Sequence, residues 1–374
     1  MKRKNVLYEN MISYNNILSV YKKIKNSTKN KKDVYNYELN LNQNLLDTLF
    51  SLSKSTYVFS KYNIFLVREP KYRLIMSESF PDKVVNHLFS KYVLSYALQS
   101  TLINSNVATR KDKGSKEAYR LFIKYTNKLI YEKKKNYVLK IDISKYFYNI
   151  NHNILMNMVS EKIKDERVLN MLKVILDTTD NDYINKTILS VVNREIYKVN
   201  KLNISTSEKE KLINELKSIP LYRKGYGLPI GNMSSQILAV FFLNKVDHFI
   251  KEKLGCKYYI RYMDDLVILG NDKEKLKNIF ASVSKYIESF DLNVNKKSGI
   301  YSLSNSVNFL GYNFKVFNNK LIIRYRSDTI KRVNKRLKNL KVYDNEMYLK
   351  SVASYKGYFL LCNTIVRDKY ISEI

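Results

Sequence analysis

A chain of 374 residues, 45% of them apolar, is long enough for one large core or two or three cooperating subdomains, and its 9 Gly and 4 Pro argue against long flexible linkers. Lys and Arg number 66 against 34 Asp and Glu, a formal charge of +32 that repels itself unless a polyanion neutralises it. Cys256 and Cys362 form neither a zinc-ligand spacing nor a disulfide framework, the start has no signal-peptide stretch, and no uncharged apolar run approaches about 18 residues, which points to a soluble, reducing, cytoplasmic setting without a membrane.

Nucleic acid is the polyanion the charge favours. The bland alternative is an AT-rich coding bias, since Lys, Asn, Ile and Tyr are all abundant; a membrane surface is a lesser option without a lipidation motif.

Residues 1–135 read mostly as helices with polar breaks, with apolar positions such as Leu45, Leu46, Leu49 and Phe50 at helical spacing. The basic triplet Lys133–Lys135 precedes Tyr137–Ile143, a β-branched, apolar segment that reads as a buried strand ending at Asp142. Residues 152–176 return to helical periodicity. Residues 178–222 are polar, rich in Lys and Asn, and read as an insertion lying outside the core. Gly225–Gly231 has turn and loop chemistry, and Ser234–Ile250 reads as a strongly apolar helix.

Two short apolar runs flank Met263-Asp264-Asp265 and predict a hairpin. Two more strands are expected around Phe309–Tyr312 and Leu321–Ile323. Ser327 can cap a helix starting near Asp328, whose apolar stripe is Ile330, Val333, Leu337 and Leu340. Its other face carries Lys331, Arg332, Lys335, Arg336 and Lys338, which suits a helix docked on a core and lying along phosphates. An ordinary solvated face is the alternative.

Adjacent carboxylates between apolar strands are costly without a counter-cation. Oxygen ligands with no His or Cys nearby select Mg²⁺, with Mn²⁺ as the alternative. A solvated turn is the bland reading of Asp264-Asp265 alone. Asp142 also ends an apolar strand. Were the two strands neighbours, Asp142 and Asp264 could share two metals about 4 Å apart, the arrangement that serves in-line phosphoryl transfer.

The ordered set of motifs resembles reverse transcriptases. Tyr262-Met263-Asp264-Asp265 is similar to their catalytic box. Lys71–Ile75 and Asn104–Arg110, with Gly114 and Ala118, resemble the two fingers motifs; Asp142–Phe147 resembles the first palm box. Gly227–Asn232 through Ser235-Gln236 resembles the template and nucleotide loop, and Asn295–Ser298 and Phe309–Tyr312 the last palm motifs. The likeness runs in order over about residues 65–360.

The resemblance implies an α+β right-hand polymerase: an N-terminal region and fingers over 1–135, an antiparallel palm sheet with packed helices over 136–312, and a helical thumb and C-terminal region over 313–374. It implies metal binding at Asp142, Ile143, Asp264 and Asp265. Lys71, Arg73 and Arg110 would hold the triphosphate. Phe147 would exclude a ribose 2′-hydroxyl, the alternative being a core aromatic. Ile230, Gly231 and Gln236 would line the nucleotide pocket, and Lys297 would donate a proton to pyrophosphate, with Lys296 an equal neighbour. Tyr262, Met263, Phe309, Leu310, Gly311, Tyr312, Lys331 and Lys335 would contact primer and template.

The implied partners are an RNA template, dNTPs, a DNA or RNA primer and the cDNA product. Tyr148 departs from many bacterial relatives, which carry an acid there. The Ile230-Gly231 to Ser235-Gln236 form and the tail Ser354–Tyr358 resemble diversity-generating retroelement enzymes and the related phage-defence reverse transcriptases. Such enzymes use a dedicated noncoding RNA, and the former a small basic accessory protein; a homo-oligomer is the other assembly considered. A non-catalytic RNA-binding scaffold is the alternative of another class.

Overall fold

The computed structural model describes residues 3–363 except 29, 69 and 133, so Lys133 of the basic triplet lies outside the described residues. Packing divides the chain into two units. One is built from Met1–Ile103, Ile143–His248 and Tyr286–Asn293, the other from Asn104–Asp142, Phe249–Lys285 and Val294–Ile374.

The first unit is mainly helical. Ser13 starts the helix Tyr14–Ser27 by accepting the amide of Asn16, and Ile17, Val20, Tyr21 and Ile24 form its buried stripe. Ser79 does the same for Phe80–Phe89, where proline occupies the first turn at no hydrogen-bond cost. Between these helices lies a hairpin that the helical reading of this region passed over. Strands β1 (Asn63–Arg68) and β2 (Tyr72–Ser77) pair antiparallel, Phe65 opposite Ile75. Their period-two alternation buries Ile64, Leu74 and Met76.

Residues 178–222, expected outside the core, instead contribute buried apolar side chains to it. They form the helices Asp182–Asn200 and Thr206–Lys217. Ile184, Ile188, Val192, Leu212 and Leu216 bury one face against Tyr62, Ile64, Leu74 and Met76 of the hairpin region. The Lys and Asn content occupies the outer faces and masks an apolar stripe at helical spacing. Ser205 caps the second helix: its hydroxyl accepts from the Glu208 amide at 3.3 Å and donates to the Glu208 carboxylate at 3.2 Å. The apolar stretch after Asn232 is a helix over Met233–Phe242, interrupted at Leu243 and resumed as Asn244–His248. It is buried nearly all round, which explains its unbroken apolar run.

The second unit holds two antiparallel sheets. Strands β3 (Tyr137–Ile141), β4 (Tyr259–Tyr262), β5 (Asp265–Gly270) and β6 (Gly299–Ser302) run in the order β4-β5-β3-β6. Strands β7 (Val307–Phe309), β8 (Tyr312–Phe317) and β9 (Lys320–Tyr325) form the second sheet in chain order. The helix Ser115–Tyr131 packs on both: Phe122 lies 5.3 Å from Phe309 and 4.3 Å from Phe314, ring to ring, above a core that includes Val138, Ile260 and Val267. Aromatic pairs of this kind add about 0.5–1.5 kcal/mol beyond their buried area.

The last helices are Ser327–Tyr343 and Asn345–Phe359. Arg326 occupies the cap position of the first, with no side-chain cap, so the predicted Ser327 cap is shifted by one residue. Ser327 itself has already entered the helix, where its hydroxyl no longer meets the free amides of the first turn. Of the predicted stripe, Val333 and Leu337 are buried, and Ile330 and Leu340 half-buried. The fold is α+β, with helices packed around small antiparallel sheets. Among the described residues no helix is long and apolar enough to cross a membrane.

Candidate active site

The sheet register gathers the three aspartates. Ile141 pairs with Leu266, so Asp142, which follows β3, and Asp265, which opens β5, sit at the same end of adjacent strands. Tyr262 pairs with Asp265, leaving Met263 and Asp264 as a two-residue turn. Met263 adopts a left-handed φ of 56°, a conformation that costs a non-glycine residue about 1 kcal/mol or more and that persists where the surroundings enforce it.

Each carboxyl is held above the usual carboxylate range. Burial pushes Asp264 up to about 6, reinforced by the charges of Asp265 and Asp142. Asp265 is raised by burial and by Asp142, and Asp142 by burial alone, against the pull of Lys140 and Lys297. Three carboxylates that lose water together are a site a cation would stabilise, and their hard oxygens fit Mg²⁺ or Mn²⁺. Arg261, fully buried in β4, partly offsets the charge of Asp264.

The surrounding motifs clamp this turn. The amide of Asn295 donates to the Asp142 carbonyl at 2.7 Å, and the Asp142 amide donates to Ser298 Oγ at 2.9 Å. The Asn295–Ser298 motif therefore fixes the backbone of the first aspartate. On the far side of β4 the Arg261 amide donates to Ser105 and its carbonyl accepts from Val107, both at 3.0 Å. Thr109 Oγ1 reaches Met263 Sδ at 3.6 Å, so the Asn104–Arg110 loop is held beside the turn, with Arg110 half-buried. Lys297 is exposed, and its charge reaches Asp142.

Phe309 and Tyr312 are each 1% exposed and belong to the core, so the β7–β8 turn offers mainly the backbone of Leu310 and Gly311, both at positive φ. Lys331 and Lys335 are exposed on the helix Ser327–Tyr343. Tyr262 is half-buried against the same core. Ile143, the residue after Asp142, is buried and counts with the first unit.

The remaining predicted residues belong to the first unit. Phe147 is half-buried in the short helix Tyr146–Asn149, edge-on to Tyr146. Its carbonyl accepts the amide of Leu228 at 2.8 Å, and Ile150 accepts that of Gly227 at 2.8 Å. The Ile230 carbonyl accepts from Met76 of β2 at 2.8 Å. The segment bearing Phe147, the loop bearing Ile230 and Gly231, and the strand bearing Arg73 are thus one hydrogen-bonded assembly. Gly231 is required there: φ is +138°, and a Cβ would meet the Met76 carbonyl at 2.6 Å. Lys71, Arg73 and Gln236 are exposed.

One cluster escaped the sequence reading. Among the described residues, His152, Asp177 and Asp180 bring three ligand atoms within 4.8 Å of one another and can hold one divalent metal. Only the Asp177–Asp180 spacing hinted at it; His152 reads in sequence as an unremarkable helix start.

The profile of the family "Reverse transcriptase (RNA-dependent DNA polymerase)" matches residues 61–314. The chain is also 27% identical, over 206 residues, to the COX1/OXI3 intron 2 protein of Saccharomyces cerevisiae, a stretch covering 48% of this chain and 24% of that protein. Apo telomerase of Candida tropicalis aligns over 75% of this chain and 52% of its own, at 16% identity and a TM-score of 0.45. Telomerase of Candida albicans in complex with a fragment of telomeric RNA aligns over 79% of this chain and 55% of its own, at 16% identity and a TM-score of 0.44. The chain spans about a quarter of the curated relative and about half of these structures. The profile spans well over half of the chain and takes in all three aspartates: the protein belongs to the reverse transcriptase family.

Proposed function

We propose that this protein is an RNA-directed DNA polymerase that copies an RNA template into cDNA, with Asp142, Asp264 and Asp265 holding two Mg²⁺ ions. The observation that carries the reading is the convergence of these three desolvated carboxylates at one end of a single sheet. Bound there, the metals would supply Lewis-acid stabilisation of the attacking and leaving oxygens in nucleotidyl transfer.

The chain's own residues have separable tasks in this reading. Lys71, Arg73 and Arg110 bind the triphosphate, Arg through paired donors matched to phosphate oxygens. Phe147 blocks the ribose 2′-hydroxyl, while Ile230, Gly231 and Gln236 frame the base pair. Lys297 protonates the departing pyrophosphate; its charge at Asp142 favours it over Lys296. Tyr262, Met263, the backbone at Leu310 and Gly311, Lys331 and Lys335 hold primer and template, largely through phosphates and 2′-hydroxyls. The division into fingers (1–135), palm (136–312) and thumb (313–374) belongs to the same proposal.

For the biological setting we favour a diversity-generating retroelement with a dedicated noncoding RNA template, on the form of the Ile230-Gly231 to Ser235-Gln236 loop. A cDNA-making enzyme of antiphage immunity is the alternative on the same motif.

Primer extension tests the function: purified protein, an RNA template, Mg²⁺ and dNTPs, beside Asp264→Ala and Asp265→Ala. Extension that disappears in both variants supports the reading. Extension unchanged by Asp264→Ala sinks it, and tight RNA binding without incorporation on any primer and template supports a scaffold.

A further inference from the structure

We propose that His152, Asp177 and Asp180 form a structural metal site for a borderline ion of the Zn²⁺ class, and that this ion locks the Gly225–Gly231 loop to the helices behind it. The site shares no residue with the aspartates of the active site.

His152 opens the helix His152–Ser160 and is 6% exposed. Its Nε2 lies 2.7 Å from the carbonyl of Gly227, which can only accept, so Nε2 carries the proton and Nδ1 the lone pair. Nδ1 is buried with no hydrogen-bond partner. A buried polar atom left in that state costs about 1–3 kcal/mol and calls for an explanation.

The carboxylates supply one. Asp177 ends the helix Glu166–Asp177, and Asp180 ends the tight turn Thr178–Asp180, so a spacing of three places both on one side. One atom from each of the three residues lies within 4.8 Å of the others. Ligands about 2.0–2.2 Å from a shared ion stand roughly 3–3.6 Å apart, so a shift of about 1 Å closes the set. One imidazole nitrogen with two carboxylate oxygens suits Zn²⁺ better than Mg²⁺, which prefers oxygen ligands and retained water. A metal-binding histidine commonly donates its second ring N–H to a backbone carbonyl, as His152 does to Gly227.

The same groups grip the loop. Asp180 accepts the Gly225 amide on both oxygens, at 2.9 and 3.1 Å, and the His152 amide donates to the Gly225 carbonyl at 3.0 Å. Thr179 Oγ1 donates to Tyr226 at 3.3 Å. An ion on His152 and Asp180 would therefore stiffen the approach to Ile230 and Gly231. Asp177 is exposed, which leaves the ion a way in.

The test uses the full-length Asp142→Asn/Asp264→Asn protein, so that the active-site carboxylates contribute little, stripped with chelator and titrated with ZnCl₂ by calorimetry and thermal denaturation. MgCl₂ is run alongside. The expected result is one equivalent of Zn²⁺ bound, a raised Tm that Mg²⁺ does not reproduce, and slower tryptic cleavage after Lys224. Adding Asp177→Asn, a surface change that leaves the fold intact, should weaken Zn²⁺ at least tenfold and remove both effects. His152→Gln should do the same. Absence of stoichiometric binding, or binding indifferent to Asp177→Asn, overturns the proposal. Neither outcome depends on polymerase activity.

Discussion

Arg261 Nη1 donates a 2.9 Å hydrogen bond to the carbonyl of Met263, tying a fully buried guanidinium to the turn that presents Asp264 and Asp265. The same residue bonds the Asn104–Arg110 loop through its backbone. One buried cation therefore partly offsets the charge of Asp264 and holds the strained turn in place. Arg261→Met should destabilise the protein by about 3–5 kcal/mol, since it leaves a buried carboxylate uncompensated. Arg261→Lys keeps the charge but not the fork, and should retain more stability than activity. Urea denaturation and primer extension measure the two losses; Arg261→Met behaving like the parent in both would refute the assignment.

Gly231 and Gly311 separate two costs of adding a methyl group. At Gly231 a Cβ meets the Met76 carbonyl at 2.6 Å as well as an unfavourable φ, whereas at Gly311, with φ +95°, the space is open. Gly311→Ala should cost about 1 kcal/mol, from the backbone alone. Gly231→Ala should cost more, roughly 2–4 kcal/mol, and displace the loop from β2. Equal losses in chemical denaturation would mean that the contact with Met76 relaxes freely.

Glu78 gives the protein a predictable pH dependence. Burial, aided by the nearby charge of Asp82, lifts its carboxyl to about 8, and Oε1 has no hydrogen-bond partner. Between the ordinary carboxylate range and about 8 the native protein keeps a proton that the unfolded chain has released. Its contribution to stability therefore declines as pH rises from about 4.5 to about 8 and levels off above that. Glu78→Gln should abolish this slope, matching the parent near pH 4 and exceeding it at pH 9 by an amount on the order of a few kcal/mol. Equal stability of the two proteins at pH 9 would show that Glu78 is solvated in solution.

Phe147 tests the proposed sugar selection. Its backbone is pinned to Leu228, so truncation should free space at the ring without moving the loop. Phe147→Ala should raise the use of ribonucleotides relative to deoxynucleotides by roughly ten- to a hundredfold, the scale on which a pocket discriminates a small group. Single-nucleotide incorporation rates for each pair of NTP and dNTP measure it. An unchanged ratio, with stability lowered, would mark the ring as packing alone.

The Asp264–Asp265 hairpin was legible because its signals are local: two short apolar runs fold back across two residues, although the acids between them alone fit a solvated turn. Asp142 was legible for the same reason, at the end of its own apolar strand. That it joins the pair required the β3–β5 register, which the ordered motifs anticipated by resemblance and the hydrogen bonds then display. The expectation for residues 178–222 failed because composition was weighed above spacing. Ile184, Ile188 and Val192 are diluted by Lys and Asn, yet they face the hairpin together once the helix forms.

By itself, then, the sequence determined the acids and those elements whose periodicity was not diluted by polar residues: strand or helix follows from periodicities a few residues long, and chemistry from residue type. Only the tertiary structure decided which groups lose water and which partners they keep. It buried Arg261 beneath the turn, turned Phe309 and Tyr312 into the core, left His152 Nδ1 without a hydrogen-bond partner, and brought the His152 ring near the carboxylates of Asp177 and Asp180. Those outcomes rest on contacts between residues far apart in the chain, where burial makes each charge or lone pair costly until something answers it, and no local pattern records that cost.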